Sequence, residues 1–211
     1  MASSPKPAGA SAHAGEKNIW RRGRWWLTGG GVIAVIAVLA VLPPAPSGPA
    51  ATGGDVNAGP ASASSVYDFP VELYQGEDVI GSRSIQFETL LGDKPIVLNY
   101  WASNCAPCSA EMPGFERVWQ RYQGQVLFFG MDVGRFAGFG GPEDSKRELL
   151  ELGVTYPAAP VPNIETAQAL QVQGLPSTDF ITPDGNVHRR WVGILNEAKL
   201  TEIVEELLGA S

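Results

Sequence analysis

The segment Leu98–Glu116, LNYWASNCAPCSAEMPGFE, decides the fold, because a buried strand, a cysteine pair and a helix follow one another within it. The near-continuous apolar run Lys94–Ala102 predicts a central strand that is covered on both faces. From Cys105 to Tyr122 the apolar residues recur with helical spacing. Cys105 and Cys108 are the only cysteines of the 211-residue chain, so the pair lies where the strand meets the helix.

Two cysteines at this spacing can form a disulfide, bind a metal or exchange electrons. A disulfide between positions i and i+3 closes a very short loop and stabilises the fold little. Tetrahedral zinc needs four ligands, and only His13 and His188 could join the pair, so we expect no metal. The redox interpretation fits best, because a helix N-terminus stabilises a thiolate at Cys105 and lowers the pKa of its thiol. Pro107, at the second helical position, limits the flexibility of the pair.

The rest of the C-terminal part alternates between strand and helix patterns. These patterns predict an α/β fold of order β-α-β-α-α-β-β-α, with parallel strands first and a hairpin at the end. The predicted strands are Asp68–Tyr74, Asp78–Ile85, Lys94–Ala102, Gln125–Val133 and the hairpin Ser177–Gly193. The predicted helices are a turn in Ile85–Leu91, then Cys105–Tyr122, Gly141–Gly153, Asn163–Leu170 and Asn196–Gly209.

The N-terminal part predicts a membrane anchor. Residues 1–24 form a cytoplasmic tail, and residues 25–42 hold 18 uncharged residues, which as a helix would span ~27 Å. Basic residues precede this segment, so the positive-inside rule places the following chain outside the cytoplasm. A cleaved signal peptide is the alternative, and either interpretation exports the C-terminal part. Residues 43–65, of which 19 of 23 are Pro, Ala, Gly or Ser, predict a flexible linker before a domain at 66–211.

The charge of the predicted domain excludes one class of function. Residues 66–211 hold 20 of the 22 acidic and 10 of the 15 basic residues, a net charge of about −10. A body this acidic repels phosphate backbones, so we expect no nucleic-acid partner.

Two motifs give the chain a family resemblance. LNYWASNCAPCSAEMPGFE resembles the active-site region of the TlpA/ResA-type membrane-anchored thiol:disulfide oxidoreductases of the thioredoxin superfamily. VQGLPSTDFITPDG, Val172–Gly185, resembles a second segment of that family, in register at Gly174 and Pro176. The resemblance covers about 66–211 and implies a thioredoxin-like fold, a central mixed sheet flanked by helices.

The resemblance implies a redox-active disulfide between Cys105 and Cys108. Cys105 would attack a substrate disulfide and Cys108 would resolve the mixed disulfide. Pro176 would be cis and face the disulfide across the site. The backbone around Ser177 would pair with an extended substrate peptide. Pro107, between the cysteines, supports the site.

Four further residues complete the predicted site, and three of them carry open alternatives. Trp101 either flanks the site or belongs to the core. Asn99, where thioredoxins keep a buried acid, either assists deprotonation or is a hydrogen-bonded core amide. Glu111 is either a solvated residue of the helix face or a proton relay to Cys108. Asn104 stands where the family has a tryptophan and is expected to contact substrate.

The expected function is an extracytoplasmic oxidoreductase that reduces disulfides in exported proteins, with apocytochrome c as one client. The alternatives are a disulfide-forming oxidase of the same fold and a non-catalytic thioredoxin-like binding module. Electrons would come from a membrane thiol donor of the CcdA/DsbD-like type. We expect no cofactor, a monomer, and a single-pass location in the cell membrane with the N-terminus in the cytoplasm.

Overall fold

The computed structural model describes residues 54–56 and 66–211 and shows a mixed sheet flanked by helices. The strands are β1 (Gly54–Val56), β2 (Pro70–Glu72), β3 (Ser84–Gln86), β4 (Ile96–Trp101), β5 (Leu127–Asp132), β6 (Ala158–Pro160), β7 (Ser177–Ile181) and β8 (Val187–Val192). Six of them form the central sheet in the order β1-β8-β7-β4-β5-β6, while β2 and β3 pair separately. The predicted thioredoxin-like α/β fold is confirmed for the described residues.

The helices lie on both sides of this sheet. They are α1 (Glu77–Ile80), a 3-10 turn (Phe87–Leu90), α2 (Ala106–Tyr122), α3 (Gly134–Ala137), α4 (Pro142–Glu151), α5 (Ile164–Ala169) and α6 (Glu197–Gly209). Two of the helices follow an asparagine N-cap: Asn163 accepts a hydrogen bond from the Thr166 N–H at 2.7 Å and Asn196 accepts one from the Lys199 N–H at 2.9 Å. Such caps satisfy backbone donors that a helix leaves unpaired at its start.

Strand β4 lies at the centre and positions the functional segments. All six of its residues are buried, and it pairs in parallel with β5 and antiparallel with β7. In that register Tyr100 lies opposite Ser177. The segment after β4, with both cysteines, therefore begins at the same edge of the sheet as the segment Leu175–Pro176 before β7.

Two apolar layers cover the faces of the sheet. The layer beneath α2 and α6 contains Phe115, Phe128 and Leu200 together with both cysteines. The opposite layer contains Phe87 and Phe129. Burying each such large side chain stabilises the fold by about 1.5–3 kcal/mol. Because both cysteines belong to the first layer, the pair lies within one of the two cores that stabilise the fold.

One predicted strand needs correction, and one strand of the sheet is absent from the prediction. The predicted strand Asp78–Ile85 begins instead with helix α1, between the left-handed residues Gly76 (φ 89°) and Gly81 (φ 85°). A Cβ at Gly76 would lie 2.5 Å from the Pro157 Cα, so this close approach also needs glycine. Strand β6 was not predicted, because its three residues are held by backbone pairing with β5 and carry no alternating pattern.

The prediction of a flexible linker over 43–65 is wrong at three residues. Gly54–Val56 form β1, which pairs with Val192–Arg190 at the open edge of β8. Backbone pairing needs no apolar side chain, so the composition of this segment did not reveal the strand. The remaining linker, the predicted anchor 25–42 and the tail 1–24 lie outside the described residues. Among residues 54–56 and 66–211, no helix has the length and apolar character to cross a bilayer.

Candidate active site

Cys105 and Cys108 form a disulfide, as predicted, with their Cα atoms 5.3 Å apart. Cys105 immediately precedes α2 and is 3% exposed, whereas Cys108 lies in the first turn and is fully buried. The Cys105 carbonyl accepts a hydrogen bond from the Ser109 N–H at 3.0 Å. Pro107 lies between them on the exposed side of the first turn. Cys105 is therefore the less buried residue of the two, at the positive end of a 17-residue helix.

Glu111 lies one turn after Cys108 on α2 and is only 3% exposed. The alternative of a solvated helix face is therefore wrong. Its two carboxyl oxygens accept hydrogen bonds from Asn99 Nδ2 at 2.8 Å and from the Leu195 N–H at 2.9 Å. Burial raises the pKa of Glu111 to about 8, although both hydrogen bonds act to lower it. A group with this pKa exchanges protons near neutral pH.

Asn99 is a buried amide that joins Glu111 to the sheet. Its Nδ2 also lies 3.2 Å from Thr178 Oγ1, beside the cis-proline segment, so it is a hydrogen-bonded core amide. Its Oδ1 is buried and has no partner within the described residues. This oxygen becomes available as an acceptor for protonated Glu111 if the amide turns over.

Pro176 follows a cis peptide bond from Leu175, as the resemblance implied. Its carbonyl accepts a hydrogen bond from the Gly193 N–H at 2.9 Å. Ser177 is 3% exposed and lies between β4 and β8, paired with Tyr100 and Val192. The prediction that the backbone around Ser177 receives a substrate strand therefore needs correction. The backbone of Leu175 makes no hydrogen bond within the described part of the chain and lies one residue before the proline.

Trp101 ends β4 and is fully buried in the apolar layer that contains both cysteines. Its Nε1 has no hydrogen-bond partner among the described residues. A Cβ at Gly130 would lie 3.1 Å from that nitrogen, so the glycine leaves room for the indole. Trp101 is thus a core residue of the same apolar layer as the disulfide.

Asn104 is exposed and has a left-handed backbone with φ 62°. Its N–H donates to Glu148 Oε2 at 2.9 Å, and the other oxygen of Glu148 accepts from the Ser109 hydroxyl. The sequence offered no signal for Glu148, which lies 44 residues after Asn104 on α4. Its place beside the cysteines depends on how α4 packs.

A second set of polar contacts holds α4 against the loop between β4 and α2. The Ser145 hydroxyl lies 2.7 Å from Asp132 Oδ2 and 3.1 Å from Ser103 Oγ. Tyr74 donates to the same Asp132 oxygen at 2.9 Å, and burial raises the pKa of Tyr74 strongly. These contacts fix Ser103, two residues before Cys105.

A buried ion pair lies on the other face of the sheet. Asp179 in β7 receives two hydrogen bonds of 2.5 Å from the Arg190 guanidinium in β8 and one of 3.1 Å from Tyr100. Arg190 also donates to the carbonyl of Leu170 at 3.1 Å, after α5. The ion pair thereby connects the residues after α5, which lead to Pro176, to the hairpin formed by β7 and β8.

Comparison with known proteins agrees with this geometry. The sequence model of the thioredoxin-like domain family matches residues 88–208. The thiol-disulfide oxidoreductase ResA of Bacillus subtilis is 29% identical over 150 residues, 69% of this chain and 76% of that protein. ResA of Oceanobacillus iheyensis is 25% identical over 136 residues, 64% of this chain and 68% of that protein.

Solved structures share the fold. A secreted disulfide oxidoreductase of Mycobacterium tuberculosis, described as homologous to E. coli DsbE, superimposes with a TM-score of 0.56 at 18% identity. The match covers 69% of this chain and all of that one. The dsbF protein of the same organism gives 0.55 at 22% identity, over 67% of this chain and 96% of that one. With a Cys-x-x-Cys disulfide at the start of α2 and the family match over most of 66–211, the chain belongs to the thioredoxin-like domain family and is a thiol-disulfide oxidoreductase.

Proposed function

We propose that the protein reduces disulfide bonds in exported proteins through the Cys105–Cys108 dithiol. The observation that carries the proposal is the disulfide itself, whose Cys105 lies at the N-terminus of α2 while Cys108 is fully buried behind it. A helix N-terminus stabilises a thiolate, and burial of the second sulfur keeps it from reacting with solvent thiols.

The reaction proceeds by two exchanges. The Cys105 thiolate attacks one sulfur of a substrate disulfide, so that a mixed disulfide forms and the other substrate sulfur leaves as a thiolate. Cys108, after losing its proton, attacks Cys105 and releases the second substrate sulfur. The substrate gains two electrons and, after protonation, two protons, and the protein is left with the Cys105–Cys108 disulfide.

Glu111 accepts the proton that Cys108 must lose. The two residues are one turn apart on the same helix and both are buried. The pKa of Glu111, raised by burial to about 8, is close to that of an ordinary thiol, ~8.5. Proton transfer between groups of similar pKa is close to balanced in both directions.

Substrate would bind along the backbone of Leu175, beside Pro176. The carbonyl and N–H of Leu175 make no hydrogen bond within the described residues, so an extended peptide can pair with them as an added strand. Asn104, exposed next to Cys105, contacts the same peptide on its other side.

The uncharged stretch 25–42 and the arginines before it support a location at the membrane, because they are typical of an N-terminal anchor. The domain would then act outside the cytoplasm as a membrane-tethered monomer. A membrane thiol donor of the CcdA/DsbD type would return electrons to it. Similarity to the ResA proteins supports this role, and we propose apocytochrome c as one client.

The reduction potential of the full-length chain, equilibrated with glutathione, tests the direction of the reaction. We expect a value below about −220 mV, as for a reductant, whereas about −120 mV is typical of a strong oxidant and would assign the protein as an oxidase. In parallel, insulin disulfides should be reduced by the wild-type chain and not by Cys105→Ser. A non-catalytic binding module would reduce none.

The client is tested with peptides that contain an oxidised Cys-x-x-Cys-His motif, the haem attachment sequence of c-type cytochromes. The matched control peptide has alanine in place of the histidine. Faster reduction of the first peptide supports the apocytochrome proposal, and equal rates contradict it.

A further inference from the structure

One carboxylate on α4 spans the Cys-x-x-Cys motif. Glu148 accepts hydrogen bonds from the Asn104 N–H, immediately before Cys105, and from the Ser109 hydroxyl, immediately after Cys108. The Ser109 hydroxyl also lies 3.2 Å from the Cys105 carbonyl oxygen. Glu148 therefore contacts the residue on each side of the motif, the backbone of Asn104 before it and the side chain of Ser109 after it.

The backbone that Glu148 holds has an uncommon conformation. Among the described residues, only Asn104 and Gln171 combine a side chain beyond glycine with a positive φ. Asparagine tolerates this region better than most residues, but the conformation still needs support from its surroundings. The hydrogen bond from the Asn104 N–H to Glu148 supplies such support one peptide unit before the Cys105 sulfur.

Glu148 itself is attached to a rigid element. Leu149 of α4 is fully buried, and Ser145, one turn before Glu148, is hydrogen-bonded to Asp132 and Ser103. A carboxylate on a helix anchored in this way can hold its partners in position.

The charge of Glu148 is only partly offset, by the neighbouring Arg147 on the same helix. Its charged neighbours are on α4, where Arg147 pairs with Asp144 at 2.5 Å and lies 4.0 Å from Glu151. In the part of the chain that the structure describes, Glu148 makes no ion pair. The facing residues of α2, Ala106 and Ser109, are uncharged.

We propose that Glu148 is a positioning residue for thiol-disulfide exchange. It fixes the backbone before Cys105, and its negative charge destabilises the Cys105 thiolate. The helix N-terminus stabilises this thiolate and Glu148 offsets part of that stabilisation. A less stable thiolate makes the dithiol a stronger reductant. Glu148 therefore shifts the dithiol–disulfide equilibrium of Cys105 and Cys108 toward the disulfide. The inference rests on the proposed role of Cys105 as the attacking thiol.

The variant Glu148→Gln separates charge from geometry in the full-length chain. A glutamine can accept from the Asn104 N–H and donate to Ser109 Oγ, so both contacts remain while the charge is lost. We expect the equilibrium constant with glutathione to shift about 3- to 10-fold toward the dithiol, the size expected for two unit charges screened by water. The pH at which Cys105 is half-alkylated by iodoacetamide should fall by about 0.5–1 unit, the same free energy expressed as a pH shift.

The variant Glu148→Ala removes both contacts as well as the charge. We expect kcat/KM for insulin reduction to fall about 3- to 10-fold below that of Glu148→Gln, because Asn104 and Ser109 lose their common partner. Ser109→Ala removes the hydroxyl contacts to Glu148 and to the Cys105 carbonyl but no charge, so it should lower kcat/KM less and leave the pH of half-alkylation unchanged.

The matched control is Glu151→Gln, which removes a charge from the same helix and touches neither Asn104 nor Ser109. It should leave the equilibrium constant with glutathione and the pH of half-alkylation at their wild-type values. The proposal is overturned if Glu148→Gln matches Glu151→Gln in both the glutathione equilibrium and the alkylation profile. Peptide mapping of the alkylated wild-type chain shows which sulfur reacts first, so that a wrong assignment of Cys105 is distinguished from a wrong assignment of Glu148.

Discussion

Glu111 and Asp179 are two buried carboxyl groups on opposite faces of the same sheet, 3% and 1% exposed. Glu111 is bound by Asn99 and the Leu195 N–H, and no cation contacts it among the described residues. Asp179 is bound by Tyr100 and by both arms of Arg190. Asn99 and Tyr100 are successive residues of β4, so their side chains point to opposite faces and each serves one carboxyl.

The difference lies in the counter-ion. Burial raises the pKa of both carboxyl groups, but at Asp179 the Arg190 guanidinium acts against the rise. A buried carboxyl paired with arginine remains charged and holds structure, whereas one bound only by neutral donors can gain and lose a proton near neutral pH. Only the face with Glu111 carries the cysteines.

The largest expected effect comes from breaking the Asp179–Arg190 pair on one side. Asp179→Asn or Arg190→Met alone should lower the free energy of unfolding by about 3–5 kcal/mol, because each leaves a buried charge without its partner. The double variant Asp179→Asn/Arg190→Met should lose less than the sum of the two. Urea unfolding at pH 7 measures all three, and strict additivity would contradict the coupling.

The next effect is the pH dependence of stability due to Glu111. Its pKa is raised from 4.5 to about 8 in the folded chain, so its contribution is complete below pH 4.5 and is lost as the pH rises toward 8. We expect this one group to lower the free energy of unfolding by about 3 kcal/mol between pH 5 and pH 8.

Glu111→Gln should remove this slope, because the amide does not titrate. Turning over the Asn99 amide lets its unpaired Oδ1 accept from the new Nε2. Glu88→Gln, in the exposed 3-10 turn, is the control and should keep the wild-type slope. A slope that persists in Glu111→Gln would show that another group titrates.

A smaller effect is expected for Asn99→Leu, which removes a donor from Glu111. The hydrogen bond from Asn99 lowers the pKa of Glu111, so its loss should raise that pKa further, by about 1 unit. The midpoint of the pH-dependent change in stability should move upward by about half that amount, because the pKa of Glu111 in the unfolded chain stays the same. A midpoint that moves downward or stays in place would contradict the role of Asn99.

The smallest effect is expected for Tyr100→Phe, the matching change on the other face. Asp179 keeps both bonds to Arg190, so the loss of one hydroxyl donor should lower the free energy of unfolding by about 1 kcal/mol. The midpoint due to Glu111 should not move. A shifted midpoint would show that the two carboxyl groups are coupled through the sheet.

Local patterns predicted most elements, because strands such as Ile96–Trp101 and helices such as Ala106–Tyr122 have strong periodicity or clear caps. They failed at Asp78–Ile80, where two glycines in left-handed conformation enclose a helical turn, and at Ala158–Pro160 and Gly54–Val56. The two short strands are held by backbone pairing with neighbours distant in the chain. Such pairing leaves no periodic pattern in three residues.

By itself the sequence determined the fold and the reacting pair, because Cys105 and Cys108 stand at the junction of a buried strand and a helix, and Pro176 lies in a second motif. The tertiary structure alone decided the surroundings that tune this chemistry. It buried Glu111 rather than exposing it, placed Ser177 inside a paired strand, and brought Glu148 to Asn104 from a different helix. Burial and long-range hydrogen bonds depend on how elements pack, and a local pattern does not contain that information.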